Sequence, residues 1–111
     1  MSLDSPDVID FLGLSKDRSN IVIAIIDAMD WSDPTHHIQL LKTKVERYIE
    51  CVQAGHVHRM VAEKADPTAT TRPVRLDVHL RYQPPPQVHQ ALSRIQTAAL
   101  MFGITMTIEV T

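Results

Sequence analysis

Ile21-Val22-Ile23-Ala24-Ile25-Ile26 is the stretch whose reading decides the fold. It is six apolar residues long, four of them isoleucine. That length and the β-branching favour an extended strand over a helix. No residue in the run is polar, so the strand is expected to be central, with at least one face covered by other elements. One row then has to point away from the covering layer. It is either Ile21, Ile23 and Ile25 or Val22, Ala24 and Ile26.

Upstream, Val8-Ile9-Asp10-Phe11-Leu12 reads as a first strand, and Gly13 to Asn20 is rich in turn formers, so the two strands are expected to form an antiparallel hairpin. Downstream, Asp33 suits a helix N-cap and Pro34 the first helical position, where a missing N–H costs nothing. Ile38, Leu41, Val45, Tyr48, Ile49 and Val52 then recur at helical spacing, and Gly55 is a stop signal. A helix over 34–54 follows.

Residues 56–73 lack a clear period. Val57, Met60 and Val61 allow a helical turn, His56-Val57-His58 also allows a strand, and Asp66 to Pro73 reads as loop. Order returns where Val74, Leu76, Val78, Leu80 and Tyr82 alternate with Arg75, Asp77, His79 and Arg81, the period of a half-buried strand. Pro84-Pro85-Pro86 ends it. Val88, Ala91, Leu92, Ile95, Ala98, Ala99 and Phe102 mark the inner face of a second helix, and Gly103 ends that. In the last strand Ile104, Met106, Ile108 and Val110 alternate with Thr105, Thr107 and Glu109.

The expected fold class is therefore α+β: a two-layer sandwich of order ββαβαβ, with about four strands and two helices packed on one face. The strand order is left open by the pattern. One domain spans residues 1–111, with a long loop at about 56–73. The sheet's other face would carry Arg75, Asp77, His79, Arg81, Thr105, Thr107 and Glu109 beside one apolar row.

Composition narrows the function. Of 111 residues, 44% are hydrophobic and 22% charged, which is ordinary for a globular chain. A single cysteine excludes an intrachain disulfide, and no run approaches the length of a membrane span. The N-terminus has neither the basic start nor the apolar core of a leader, so a cytoplasmic protein is expected. Net charge is −2, divided as −5 over residues 1–33 and +3 over 34–111. There is no bulk attraction to nucleic acid or anionic lipid. Four of the five aromatics, Phe11, Tyr48, Tyr82 and Phe102, fall on core-facing patterns, and Trp31 sits among acids, so no base-stacking platform is foreseen. With three glycines, no phosphate-cradling loop can be recognised.

Polar chemistry concentrates in Asp27-Ala28-Met29-Asp30-Trp31-Ser32-Asp33-Pro34-Thr35-His36-His37, where the central strand hands over to the first helix. Carboxylates and imidazoles are competent metal or ligand donors. Against a cation stand the positive end of the helix dipole and the divergence of adjacent helical histidines. Asp33 is explained as a cap and Asp30 by a turn. His56 and His58 share a side only if the backbone is extended, and Cys51 lies beside the apolar stripe of the first helix, where a small buried hydrophobe is the commoner role.

The residues Val8 to Gly13, Asp27, Asp30-Trp31, His37, Leu40-Leu41, Lys44, Tyr48 and Gly55 together resemble a family of small bacterial proteins known only as a domain of unknown function. The likeness is strongest over residues 8–55. It implies the same element order and brings no catalytic residues.

Two functions compete. The first is a non-enzymatic interaction protein, a homodimer or the binder of a protein partner, acting through its open sheet face or a strand edge. Val22, Ile23, Ala24, Ile25, Ile26, Arg75, His79 and Arg81 are the candidate interface. The second is a small-ligand or metal-binding protein, in one form a hydrolase, centred on Asp27, Asp30, Trp31 and His37. No catalytic residue, metal ligand set or cofactor is assigned.

Overall fold

A computed structural model describes Leu3, residues 9–64, Thr68 and residues 72–110. It is an α+β chain with an open, mixed, four-stranded sheet. The strands are β1 (Phe11–Leu14), β2 (Ile21–Asp27), β3 (Val74–Leu80) and β4 (Ile104–Val110), lying in that order across the sheet. β1 pairs antiparallel with β2, whereas β2–β3 and β3–β4 are parallel.

The helices are α1 (Pro34–Gln53), α2 (His56–Lys64) and α3 (His89–Met101), the last entered through a single 3-10 turn at Pro86–Val88. The Asp33 carboxylate caps α1 by accepting from His36 N, and Pro34 occupies the first turn as its fixed φ allows.

Three helices rather than two correct the sequence reading. α2 occupies the first half of the stretch expected to be loop, while 65–67 and 69–71 lie outside the described residues. Gly55, at φ +79°, does end α1, but it redirects the chain into another helix instead of releasing it. Val57 and Val61, one turn apart, are both buried against the core. That burial stabilises a nine-residue helix which propensity alone would leave marginal.

The first strand also starts later than expected. It runs through Gly13 and Leu14, and its register pairs Phe11 with Ala24 and Leu14 with Ile21. The turn lies at 15–20, closed by Ser15 N donating to Asn20 O and by Asp17, whose carboxylate accepts from the Ser15 and Ser19 hydroxyls. Val8 is outside the described residues.

One core cluster joins Ile21, Ile23 and Ile25 of β2, Val74, Leu76, Val78 and Leu80 of β3 and Ile104 and Met106 of β4 to the inner stripes of the helices. Three aromatics assigned to the core are outside it. Phe11 is 53%, Tyr82 43% and Phe102 51% exposed. Tyr82 follows the end of β3 and Phe102 closes α3, so neither continues the period that suggested it.

Candidate functional site

The strand–helix junction does bring its residues together, but inward. Asp27, at the end of β2, shares the parity of Ile21, Ile23 and Ile25 and so faces the helices. His37, in the first turns of α1, meets it there. His37 Nε2 lies 2.5 Å from Asp27 Oδ2, and both side chains are fully shielded from solvent.

The hydrogen-bond partners count the protons. His37 Nδ1 is 2.9 Å from the carbonyl oxygen of Asp30, and a carbonyl only accepts, so Nδ1 carries a hydrogen. One more proton is needed between Nε2 and Oδ2, because a lone pair facing a carboxylate at that distance would repel it. One hydrogen bond thus joins the two side chains.

Other contacts fix both partners. Asp27 Oδ1 accepts from Met29 N at 3.0 Å, and the Asp27 carbonyl accepts from Arg81 N at 2.9 Å. The Trp31 indole stacks on the His37 ring, with centroids 3.6 Å apart and planes 14° from parallel. Its Nε1 donates to the Tyr82 carbonyl at 3.1 Å, pinning the 27–37 connection to the segment that follows β3. Asp30 contributes its backbone, not its carboxylate. That carboxylate is solvent-facing and accepts from the Ser32 hydroxyl and N–H, which hold it below the usual carboxylate range.

A second buried polar group lies further along the same face of α1. Lys44, 0% exposed, donates to Asp10 Oδ1 at 3.1 Å, and Asp10 Oδ2 accepts from Ile26 N. Tyr48 Oη accepts from Asp10 N at 2.8 Å and donates to Ala24 O at 3.2 Å. Burial pushes the Tyr48 phenol well above its ordinary value, only partly opposed by the Asp10 N–H. This second network was not foreseen. The signal lay in the stripe itself: His37, Lys44 and Tyr48 share the buried face of α1 with Leu41 and Val45. Among the described residues no buried side-chain nitrogen or oxygen lacks a partner.

These facts limit the chemistry of the junction. Both His37 nitrogens are engaged, and the ring lies beneath Trp31. Among the described residues, a surface hollow of about 770 Å³ between α1 and α3 and another of about 460 Å³ beside Cys51, His56 and Arg59 are lined by none of Asp27, Asp30, Trp31 and His37. His56 and His58 stand on α2 rather than on extended chain, so their side chains diverge. His58 donates through Nε2 to Arg72 O. Among the described residues no three histidine, cysteine, aspartate or glutamate side chains cluster as a metal site.

The candidate interface divides. Ile23 and Ile25 are fully buried beneath the helices and cannot belong to a surface. Val22, Ala24 and Ile26 form the outward row, yet Val22 is 6% and Ala24 4% exposed, set by the register between β1 and the Arg75 and Asp77 positions of β3. Ile26 is 49% exposed. Arg75 is bidentate to Asp77, whose Oδ1 also accepts from the Thr107 hydroxyl, while His79 Nδ1 is 3.8 Å from Glu109. Arg81 is exposed and lies over the Tyr82 ring, 5.6 Å from its centroid.

A family model described as a family of unknown function, DUF6572, matches residues 1–111. The chain belongs to this family. Comparison with curated proteins and with solved structures finds no match. The DUF6572 match spans the buried His37–Asp27 and Lys44–Asp10 pairs and the sheet beyond them. No helix among the described residues is long and apolar enough to cross a membrane.

Proposed function

We propose that this chain is a non-enzymatic interaction protein of one domain, which binds a second copy of itself or another polypeptide through the part of its sheet that the helices leave uncovered. The frame is a two-layer arrangement, with helices over one sheet face and the opposite face and outer edge left for a partner. A single free cysteine, Cys51, suits the reducing cytoplasm where we place it.

One observation carries the reading. Phe11 and Ile26 are 53% and 49% exposed on the outward face, and the register makes them diagonal neighbours, since Phe11 pairs with Ala24. The Phe11 ring leans over Gly13, away from Ile26, so the two make a broken apolar step on either side of Ala24. Beside that step stand the Arg75–Asp77–Thr107 group and His79, a polar rim of the kind that borders interaction surfaces.

Ligand binding at Asp27, Asp30, Trp31 and His37 is the weaker reading. It needs a donor atom that solvent can reach, and the buried, doubly bonded His37 offers none. The test is absolute mass by light scattering over a tenfold concentration range. Association that is lost in the Phe11→Ser/Ile26→Ser double variant, at an unchanged melting temperature, supports the face. A chain monomeric throughout rejects self-association through it.

A further inference from the structure

We infer that the outer edge of β4 is a self-pairing edge, on which a second copy of this chain docks its own β4 antiparallel across a two-fold axis through Thr107. The inference rests on the interaction reading above and names its partner and register.

The edge is unusual in its lack of protection. Among the described residues no strand lies beyond β4, which is seven residues long and contains no lysine, proline or glycine. Short length, lysine, proline and bulges are the usual devices that keep edges from pairing. The opposite edge, β1, is only four residues long and carries Gly13. One β4 acceptor is met from the helix, where Gln96 Nε2 donates to Met106 O at 3.0 Å, and a carbonyl has a second lone pair to offer.

The sequence of β4 fits itself in one register. Centring on Thr107 overlaps the whole strand and keeps each side chain opposite one on the same face. On the helix side Ile104 meets Val110 and Met106 meets Ile108, all apolar. On the other side Thr105 meets Glu109 and Thr107 meets itself, with no like charges opposed.

The same register solves a problem of exposure. Exposure rises along the helix side of β4, from 1% at Ile104 to 45% at Val110. At the strand's other end Leu100, Met101 and Phe102 are 63%, 82% and 51% exposed. Within one copy these apolar groups are separated by the strand's length, about 20 Å. Antiparallel pairing sets the start of one β4 against the end of the other, so Leu100, Met101 and Phe102 come beside the second copy's Val110. A parallel or foreign strand creates no such match, which is why a second copy is the occupant.

Thr105 and Glu109 give the test, because they oppose each other twice in the dimer and are four residues apart within one chain. Sedimentation equilibrium on the full chain is expected to show a dimer. Thr105→Glu should raise its dissociation constant roughly tenfold, Thr105→Lys should lower it, and Thr105→Glu/Glu109→Lys should restore tight association, each read as a dissociation constant for folded protein because within one chain Thr105 lies opposite Arg75 and Glu109 opposite His79. Hydrogen exchange in β4 should slow as concentration rises. A dimer indifferent to these charges but lost in Phe11→Ser/Ile26→Ser overturns the edge and leaves the sheet face. A dimer indifferent to both sets overturns both. A monomer into the millimolar range overturns the edge-paired dimer outright.

Discussion

His37 Nε2 and Asp27 Oδ2 approach to 2.5 Å at a point where neither side chain touches solvent. This contact ties the end of the central strand to the start of the longest helix. A carboxylate and an imidazole in that setting are tolerated because each has its remaining hydrogen-bonding atom satisfied, by Met29 N and by Asp30 O. The geometry is that of a structural clamp.

Removing one partner should therefore be much worse than half of removing both. Asp27→Ala or His37→Ala leaves a buried polar group unpaired, and each should cost about 3–5 kcal/mol. The double variant should cost little more than either single, giving a large favourable coupling energy in a double-mutant cycle by urea denaturation. Additive losses would show that the pair does not act as a unit.

Lys44 makes a related prediction about the second network. Its ammonium is buried and donates to Asp10, which also receives Ile26 N. Lys44→Met keeps most of the side-chain volume but strands the Asp10 carboxylate beside α1, and should cost about 2–4 kcal/mol in denaturant unfolding. Adding Asp10→Ala to Lys44→Met should recover part of that loss. A neutral Lys44→Met would mean that the ion pair contributes nothing beyond its packing.

Most of the fold was legible in the sequence because its elements repeat a simple period against one core. β3 alternates strictly, and α1 has both its cap and its stripe. What escaped depended on tertiary contact. The nine residues of α2 hold two buried valines, too few for a period to stand out from a loop. Phe11 pairs with Ala24 and so falls on the outward face, and Tyr82 lies beyond the end of β3. The junction residues were singled out, but their direction was not: Asp27 turns inward because it continues the parity of Ile21, Ile23 and Ile25, so a cluster that read as a surface site closes on itself. Lys44 was singled out only through the family resemblance, because helical spacing does not show that Asp10, 34 residues earlier, is placed against it.

Acid should weaken the Arg75–Asp77–Thr107 group on the sheet. Partial burial alone would raise the Asp77 carboxyl, but the Arg75 guanidinium and the Thr107 hydroxyl outweigh it and hold the group below its ordinary 3.8. Because the folded value is the depressed one, the stabilisation is present above the unfolded value and lost as pH falls through the folded one. Melting temperature should therefore drop on acidification below about pH 4, and Asp77→Asn should start lower at neutral pH but decline less steeply. Parallel acid profiles for the two proteins would remove Asp77 from the account.

Gly55 separates backbone strain from packing. Its φ is +79°, in the left-handed region, and a Cβ added there would meet no atom within 4 Å. Gly55→Ala should thus cost only the conformational penalty, about 1–2 kcal/mol, with no steric clash to relieve. Because the turn joins α1 directly to α2, the loss should appear as well in faster hydrogen exchange at Val57 and Val61, whose burial depends on the angle at which α2 leaves. Gly55→Asn, which tolerates the left-handed region better, should recover part of both effects. If alanine and asparagine cost the same, the penalty does not come from the backbone, and α2 is held by its valines regardless of how the chain enters it.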